Sequence, residues 1–264
     1  MLSAAQGSSN LLACPSGATG LDNIPVTFDW FVRPRSVQAS DFRIALEDGT
    51  VVQPTCAVLL PPDEPNELQT IDLIGDFGEP VAGKAAMQVR FTGALQGRPI
   101  DQRRWRPMTG LWPYAVTPLA APPFIVDSWV LTPALYRRDA NRCTVGSTFV
   151  RVMWSNGVTA STPGIAPGQP GNLVEVPAES AASYRAVYRL PSGRTIAVQP
   201  LGLGDLLDHP QPGAPAAKDD NMHDLCLPPV PRRARLVGVN VAAGVVEDPN
   251  GDPNVTQEFR LPRP

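Results

Sequence analysis

The side chains most able to bind a metal or act in catalysis lie in one nine-residue stretch of this sequence, Asp219–Leu227 (DDNMHDLCL). It contains three carboxylates, one of the two histidines in the chain and one of the four cysteines. Carboxylates beside an imidazole orient the ring and raise its pKa, and together with carbonyl oxygens they form a pocket suited to a divalent metal. The candidate metal ligands in this stretch are His223, Asp219, Asp220 and Asp224.

The other histidine, His209, lies fourteen residues earlier, with Asp205 and Asp208 beside it. Any general-base or imidazole-ligand role must fall on one of these two histidines, so His209 is a candidate further ligand of the same metal. The spacing matches neither HExxH nor HxxxH. The alternative is a polar surface loop in which aspartates cap turns and Cys226 anchors the segment.

A second candidate ion site is Glu247–Asn254 (EDPNGDPN), where oxygen-bearing side chains occupy alternate positions around Gly251. These side chains are Asp248, Asn250, Asp252 and Asn254. Calcium loops gather their ligands in this way, and the stretch resembles the calcium loops of thrombospondin-type repeats. It departs from the EF-hand pattern, because its glycine comes too early and Phe259 stands where a bidentate glutamate is required. The alternative is an ordinary Asp-Pro-Asn-Gly turn.

Four cysteines with no CxxC pair argue against a zinc site built from four thiolates and favour two disulfides in an oxidising compartment. Of the three pairings, we favour Cys14–Cys56 with Cys143–Cys226, which keeps each bridge within one half of the chain; four reduced thiols are the alternative. The N-terminal stretch has no charged-then-apolar leader and is typical of a mature terminus whose leader has been removed. We therefore expect a secreted, periplasmic or cell-envelope protein.

The composition excludes several classes of protein. A formal net charge of −3 provides no global basic field, so nucleic acid is not an expected partner. In the one local basic cluster, Arg98–Pro107, we expect arginine side chains to pack over Trp105. No apolar run is long enough to span a membrane. The sequence also contains neither a GxSxG nor a GxxxxGK[ST] motif.

The 31 prolines and 22 glycines of this 264-residue chain indicate short strands joined by turns. Strand-like alternation flanks Asp48-Gly49, Asn156-Gly157 and Pro191–Gly193, so each of these is a predicted hairpin turn. A proline-rich stretch near residue 120 indicates a boundary between domains 1–120 and 121–264. Long loops are predicted at residues 162–171 and 200–231.

Ser36–Pro54 (SVQASDFRIALEDGTVVQP) and the later VRFTGAL show a rhythm of strands and turns over about sixty residues of the first half. In this rhythm the first half resembles bacterial immunoglobulin-like domains. The Cys…Trp…Cys spacing of antibody domains is missing. The resemblance implies a β-sandwich that serves as a spacer or binding module, with no catalytic residues to carry over. We therefore predict an all-β protein of two immunoglobulin-like β-sandwich domains with long Pro/Gly-rich loops.

Two functions from different classes follow. The favoured one is an exported, non-catalytic binding or structural protein whose second-domain loops contact a protein, a glycan or a small-molecule ligand. A bound ion would order those loops, with calcium at Asp248, Asn250 and Asp252. The alternative is a metal-dependent enzyme in which a transition metal at His223 activates water or polarises a carbonyl.

Overall fold

The chain is all-β in its computed structural model and divides into two compact units. One unit comprises residues 1–63 and 67–121, and the other comprises residues 64–66 and 122–264. The structure describes residues 3–4, 14, 21–59, 67–78, 83–100, 102–111, 113–118, 120–132, 143–160, 178–204, 220–248 and 250–261. Within these ranges there is no α-helix, so the all-β prediction is confirmed.

The described residues of the first unit form eleven short strands in three antiparallel sheets. The strands are β1 (Ser3–Ala4), β2 (Asp22–Thr27), β3 (Trp30–Val32), β4 (Phe42–Leu46), β5 (Val51–Val52), β6 (Cys56–Val58), β7 (Thr70–Gly75), β8 (Ala86–Phe91), β9 (Gln96–Pro99), β10 (Arg106–Pro107) and β11 (Tyr114–Ala115). The sheet orders are β1-β2-β7-β6, β10-β9-β3 and β11-β8-β4-β5. Two 3-10 turns, Pro34–Ser36 and Ala39–Asp41, precede β4.

The β4–β5 hairpin forms as its sequence predicts. Alternate side chains of β4, those of Phe42, Ile44 and Leu46, are buried in the core of the first unit. Ile44 pairs with Val52 across the turn, where Gly49 has a φ of 86°. A residue with a side chain rarely adopts that backbone conformation, so glycine is the residue the turn requires.

The basic cluster of the first unit packs on aromatic rings, which confirms the sequence expectation. The Arg98 guanidinium lies 4.6 Å from the centre of the Phe31 ring and 5.0 Å from that of Trp105. The Arg106 guanidinium lies 4.5 Å from the centre of the Trp30 ring. These arginines stabilise the first unit by cation–π contact.

The second unit has two antiparallel sheets that share one apolar core, in a β-sandwich-like arrangement. Its strands are β12 (Ile125–Val130), β13 (Thr148–Ala160), β14 (Tyr184–Arg189), β15 (Thr195–Val198), β16 (Gly202–Gly204), β17 (Asp220–Leu227), β18 (Arg235–Val241), β19 (Val246–Glu247) and β20 (Gln257–Arg260). The sheet orders are β12-β13-β17-β16, with β19 also on β13, and β15-β14-β18-β20. A 3-10 segment, Ala178–Ser183, precedes β14.

One of the two hairpins predicted in the second unit is confirmed, and the other is wrong. At Pro191–Gly193, Gly193 has a φ of 84° and Arg189 pairs with Thr195. Asn156-Gly157 instead lies inside the continuous strand β13. Neither residue has the positive φ that a type I′ turn demands, and the register with β17 shifts between Met153 and Val158, as at a bulge.

The prediction of one long loop at 200–231 is wrong, because two strands, β16 and β17, lie within that range. β17 runs between β13 and β16 and is hydrogen-bonded on both sides. Its polar residues suggested a solvated loop, but Asn221, His223 and Asp224 are buried, and each has a hydrogen-bond or ion-pair partner. The segments 161–177 and 205–219 lie outside the described residues.

Each unit holds one disulfide, in the pairing favoured from the sequence. Cys14 bonds to Cys56 with a Cα–Cα distance of 6.0 Å, and Cys143 bonds to Cys226 with a Cα–Cα distance of 5.7 Å. The second bridge ties β17 to the segment before β13. Among the described residues, no helix has the length and apolar character needed to cross a membrane.

Candidate functional site

Residues Asp220–Leu227 of the DDNMHDLCL stretch form strand β17, between β13 and β16, and the alternation of side chains along this strand separates His223 from Asp224. Side chains of successive strand residues point to opposite faces of a sheet. His223 faces the core between the two sheets, where Leu225 also lies, whereas Asp224 faces the other side. These two side chains therefore cannot bind the same ion.

The structure does not describe the side chains of the remaining members of the predicted metal site. Asp219 and His209 lie outside the described residues, and for Asp220 the structure describes only the backbone, which pairs with Val158. In the described part of the chain, no three His, Cys, Asp or Glu side chains come together in a way that could hold a metal ion.

His223 makes the contacts of a core histidine. Its ring nitrogen Nδ1 lies 3.3 Å from Nε1 of Trp154 and 3.4 Å from the Tyr184 hydroxyl oxygen, and all three side chains are buried. The indole N–H can only donate a hydrogen bond, so Nδ1 must accept it. The proton of the neutral ring is then on Nε2. A protonated ring nitrogen has no lone pair for a metal, and the lone pair of Nδ1 is already engaged.

The pKa of His223 differs from the sequence expectation. Burial lowers the pKa of His223 to about 4, whereas neighbouring aspartates were expected to raise it. Of these, Asp224 lies on the opposite face with its charge paired to Arg151. The imidazole is therefore neutral at physiological pH.

We predict that His223 makes the free energy of unfolding fall in acid. Because its folded-state pKa lies below the unfolded value of 6.5, its contribution is fully present above pH 6.5 and is lost as the pH falls towards 4. The loss should reach up to about 3 kcal/mol. Urea unfolding of the wild type and of His223→Gln at pH 7.5, 5.5 and 4.5 measures it, with a flatter profile expected for the variant.

His209→Gln is the matched control for this experiment, since it removes the other histidine. A pH profile flattened by His223→Gln and left unchanged by His209→Gln would assign the effect to His223. Equal pH profiles for His223→Gln and the wild type would show that His223 is not the group that resists protonation.

On the other face of the same sheet, Asp224 is engaged by Arg151. Arg151 Nε donates to Asp224 Oδ1 at 2.8 Å, and its second terminal nitrogen donates to Oδ2 at 3.0 Å. The two residues are also direct cross-strand partners, with 1% and 0% of their side chains exposed. Both carboxylate oxygens serve an ion pair that ties β17 to β13, a role that sequence reasoning did not assign to Asp224.

The Glu247–Asn254 stretch makes the contacts of a turn. Asp248 Oδ1 accepts hydrogen bonds from the backbone N–H groups of Asn250 and Asp252, each at 3.0 Å. Asn254 Oδ1 accepts from the N–H groups of Val245 and Val246, at 2.8 and 3.0 Å. The alternating oxygens thus cap separate backbone groups, as expected of the turn alternative.

We predict that Asp248 opposes stability at neutral pH. Burial raises the pKa of the Asp248 carboxyl to about 6, partly opposed by the backbone N–H groups of Asp252 and Asn250. Because this value exceeds the unfolded 3.8, its contribution is fully present below pH 3.8 and is lost as the pH rises through 6. Asp248→Asn keeps the acceptor oxygen without the charge.

At pH 7.5 the Asp248→Asn variant should unfold with about 1–2 kcal/mol more free energy than the wild type, and at pH 4 the difference should vanish. Thermal melts at both pH values check this. Asp252→Asn, in the same turn, is the control and should change the pH dependence less. A variant that is destabilised equally at both pH values would contradict the assigned pKa.

Sequence reasoning missed a surface feature of the second unit: an exposed groove lined by Arg189, Arg233 and Arg235. The exposed Arg194 and Arg232 are next to its lining residues in the chain, and the feature is called here the arginine groove. The run PRRAR is visible in the sequence. The pairing of β14 with β18 adds Arg189 to it, a step that requires knowledge of the sheet order.

The comparisons with known proteins place this chain in no family: no family model, curated protein or solved structure matches it. The class is therefore defined by the fold itself. It is an all-β protein of antiparallel sheets, with β-sandwich-like packing and two disulfides.

Proposed function

We propose that this chain is an exported, non-catalytic binding or structural protein whose two units are immunoglobulin-like sandwiches. The observation that carries the proposal is the contact of His223 with Trp154. The indole N–H of Trp154 can only donate, so it occupies Nδ1, the unprotonated ring nitrogen that a general base would use. The ring proton is then on Nε2. The strand with the richest chemistry in the sequence thus holds the sandwich together.

Export is supported by the two disulfides. Such bonds persist in oxidising compartments and are rare in the cytoplasm. The two disulfides close loops of 42 and 83 residues, so each bridge restrains a large part of its unit. A rigid, disulfide-bonded sandwich is suited to presenting a surface to a protein, a glycan or a small-molecule ligand outside the cell.

The rival proposal, a metal-dependent enzyme, requires a transition metal on His223. Elemental analysis of protein purified without chelator separates the two, together with thermal melts with and without EDTA. We expect His223→Gln and the wild type to carry the same metal content, whatever it is. Stoichiometric zinc, copper or iron that disappears in His223→Gln but not in His209→Gln would overturn the non-catalytic proposal. Calcium lost on Asp248→Ala would add a structural ion to a non-catalytic protein.

A further inference from the structure

The arginine groove carries positive charges that have no ion-pair partner among the described residues. Arg189 ends β14, Arg235 begins β18, and the two are direct cross-strand partners. All five arginines are exposed, and none makes a side-chain hydrogen bond or an ion pair with a described residue. Like charges placed opposite one another on neighbouring strands destabilise a sheet.

A similar cross-strand pair in the first unit behaves differently. Arg43 pairs with Arg90 across β4 and β8, but the Arg43 guanidinium donates to the carbonyl oxygens of Ser40 and Phe42. Arg90 donates to Gln88 at 2.9 Å. The guanidinium groups of this pair are therefore engaged within the protein, whereas those of the arginine groove remain available to a ligand.

The backbone adds a second unfavourable contribution at the same place. Arg233 has a φ of 65° and is the one non-glycine residue with a positive φ in the described part of the chain. A residue with a side chain adopts this backbone conformation only at a cost in free energy. Arg233 lies on the wall of the arginine groove, between Arg232 and Arg235. A bound anion would offset the charge repulsion concentrated there.

The shape of the arginine groove suits a ligand larger than a single inorganic ion. Its volume is about 620 Å³, within the range typical of small-molecule sites. Its lining residues are Arg189, Leu190, Pro191, Gly193, Arg233, Ala234 and Arg235. Guanidinium groups bind carboxylate, sulfate and phosphate through paired hydrogen bonds. The lining contains no aromatic ring on which nucleic-acid bases could stack.

We propose that the arginine groove binds an acidic oligosaccharide through its carboxylate or sulfate groups. This inference rests on the proposed function, since it names the ligand class of the binding module. The guanidinium groups of Arg189 and Arg235 bind one anionic group, and Arg233 and the remaining arginines bind its neighbours along the oligosaccharide. The interaction is electrostatic, so it weakens as salt rises.

Calorimetric titration of the intact, oxidised protein at low and high salt tests this proposal. The probes are an oligogalacturonate, a sulfated dextran oligomer and neutral dextran of the same length. We expect binding of at least one acidic probe and none of neutral dextran. In Arg189→Gln/Arg235→Gln the affinity should fall about tenfold or more, because the variant loses the charged hydrogen bonds that these two guanidinium groups donate to the anion.

The matched control is Arg43→Gln/Arg90→Gln, which removes the cross-strand arginine pair of the first unit and should change the affinity less than twofold. A second pair, Arg194→Gln/Arg232→Gln, removes charge from the same patch outside the strands and should also weaken binding. Circular dichroism and urea unfolding confirm that each variant is folded.

Three results would overturn the proposal: no binding of either acidic probe, equal loss in the groove and control variants, or stronger binding to vesicles of anionic lipid or to single-stranded DNA than to both probes. None of these involves metal at His223. Failure of the arginine groove is therefore distinguishable from failure of the non-catalytic proposal, which the metal analysis tests.

Discussion

Replacing Arg151 with methionine should lower the free energy of unfolding of the second unit by about 3–5 kcal/mol. The substitution leaves the Asp224 carboxylate with 0% of its side chain exposed and without the two hydrogen bonds, at 2.8 and 3.0 Å, that balance its charge. An uncompensated buried charge is among the most destabilising lesions in a protein. Urea unfolding followed by tryptophan fluorescence at pH 7.5 measures the loss.

Two further variants test this explanation. Arg151→Met/Asp224→Leu removes both charges and should recover most of the loss, because the penalty comes from the unpaired charge. Arg260→Gln is the matched control: Arg260 and Glu258 also lie 2.8 Å apart, but 51% and 67% of their side chains are exposed. Arg260→Gln should lower the free energy of unfolding by less than about 1 kcal/mol. Equal effects of Arg151→Met and Arg260→Gln would show that burial of the pair is not what matters.

Removing the Cys143–Cys226 disulfide should lower the free energy of unfolding by about 4.5 kcal/mol. The bridge closes a loop of 83 residues, and the expected loss follows from the freedom that the unfolded chain regains. Cys226 is also fully buried in β17. The measurement is urea unfolding of the double variant Cys143→Ser/Cys226→Ala without reductant.

The other bridge supplies the comparison. Cys14–Cys56 closes a loop of 42 residues, so its removal should cost about 0.6 kcal/mol less on the same argument. Wild-type protein in strong reductant should lose stability with both bridges opened. A double variant Cys143→Ser/Cys226→Ala as stable as the oxidised wild type would contradict the assigned role of the bridge.

The predictable parts of this fold were those with local signals. The turns at Gly49 and Gly193 follow from a glycine with positive φ between alternating strands, and both are present. Asn156-Gly157 carries the same local signal and yet lies within β13, because pairing with β17 and β19 on either side of a bulge continues the strand. Tertiary pairing overrides a local turn preference there.

The contacts of His223 and Asp224 were not predictable from the sequence, because their partners are distant in the chain. His223 lies near Trp154, 69 residues away, and Asp224 pairs with Arg151, 73 residues away. Read locally, an aspartate and a histidine side by side suggest a joint site. Their strand conformation sends them to opposite faces, where each finds its own partner. A strand with polar side chains can be buried only if those side chains find partners. No local pattern in β17 identifies the partners.

The most direct test of the account is the protonation state of the His223 ring in the native protein, read from ¹⁵N chemical shifts between pH 4 and 8. The chain has only two histidines, and His223→Gln assigns the signals. We predict a neutral ring with its proton on Nε2, unchanged as the pH falls to about 5 and titrating near 4. A ring that titrates near 6.5, or one whose shifts move when a divalent metal is added, would contradict it.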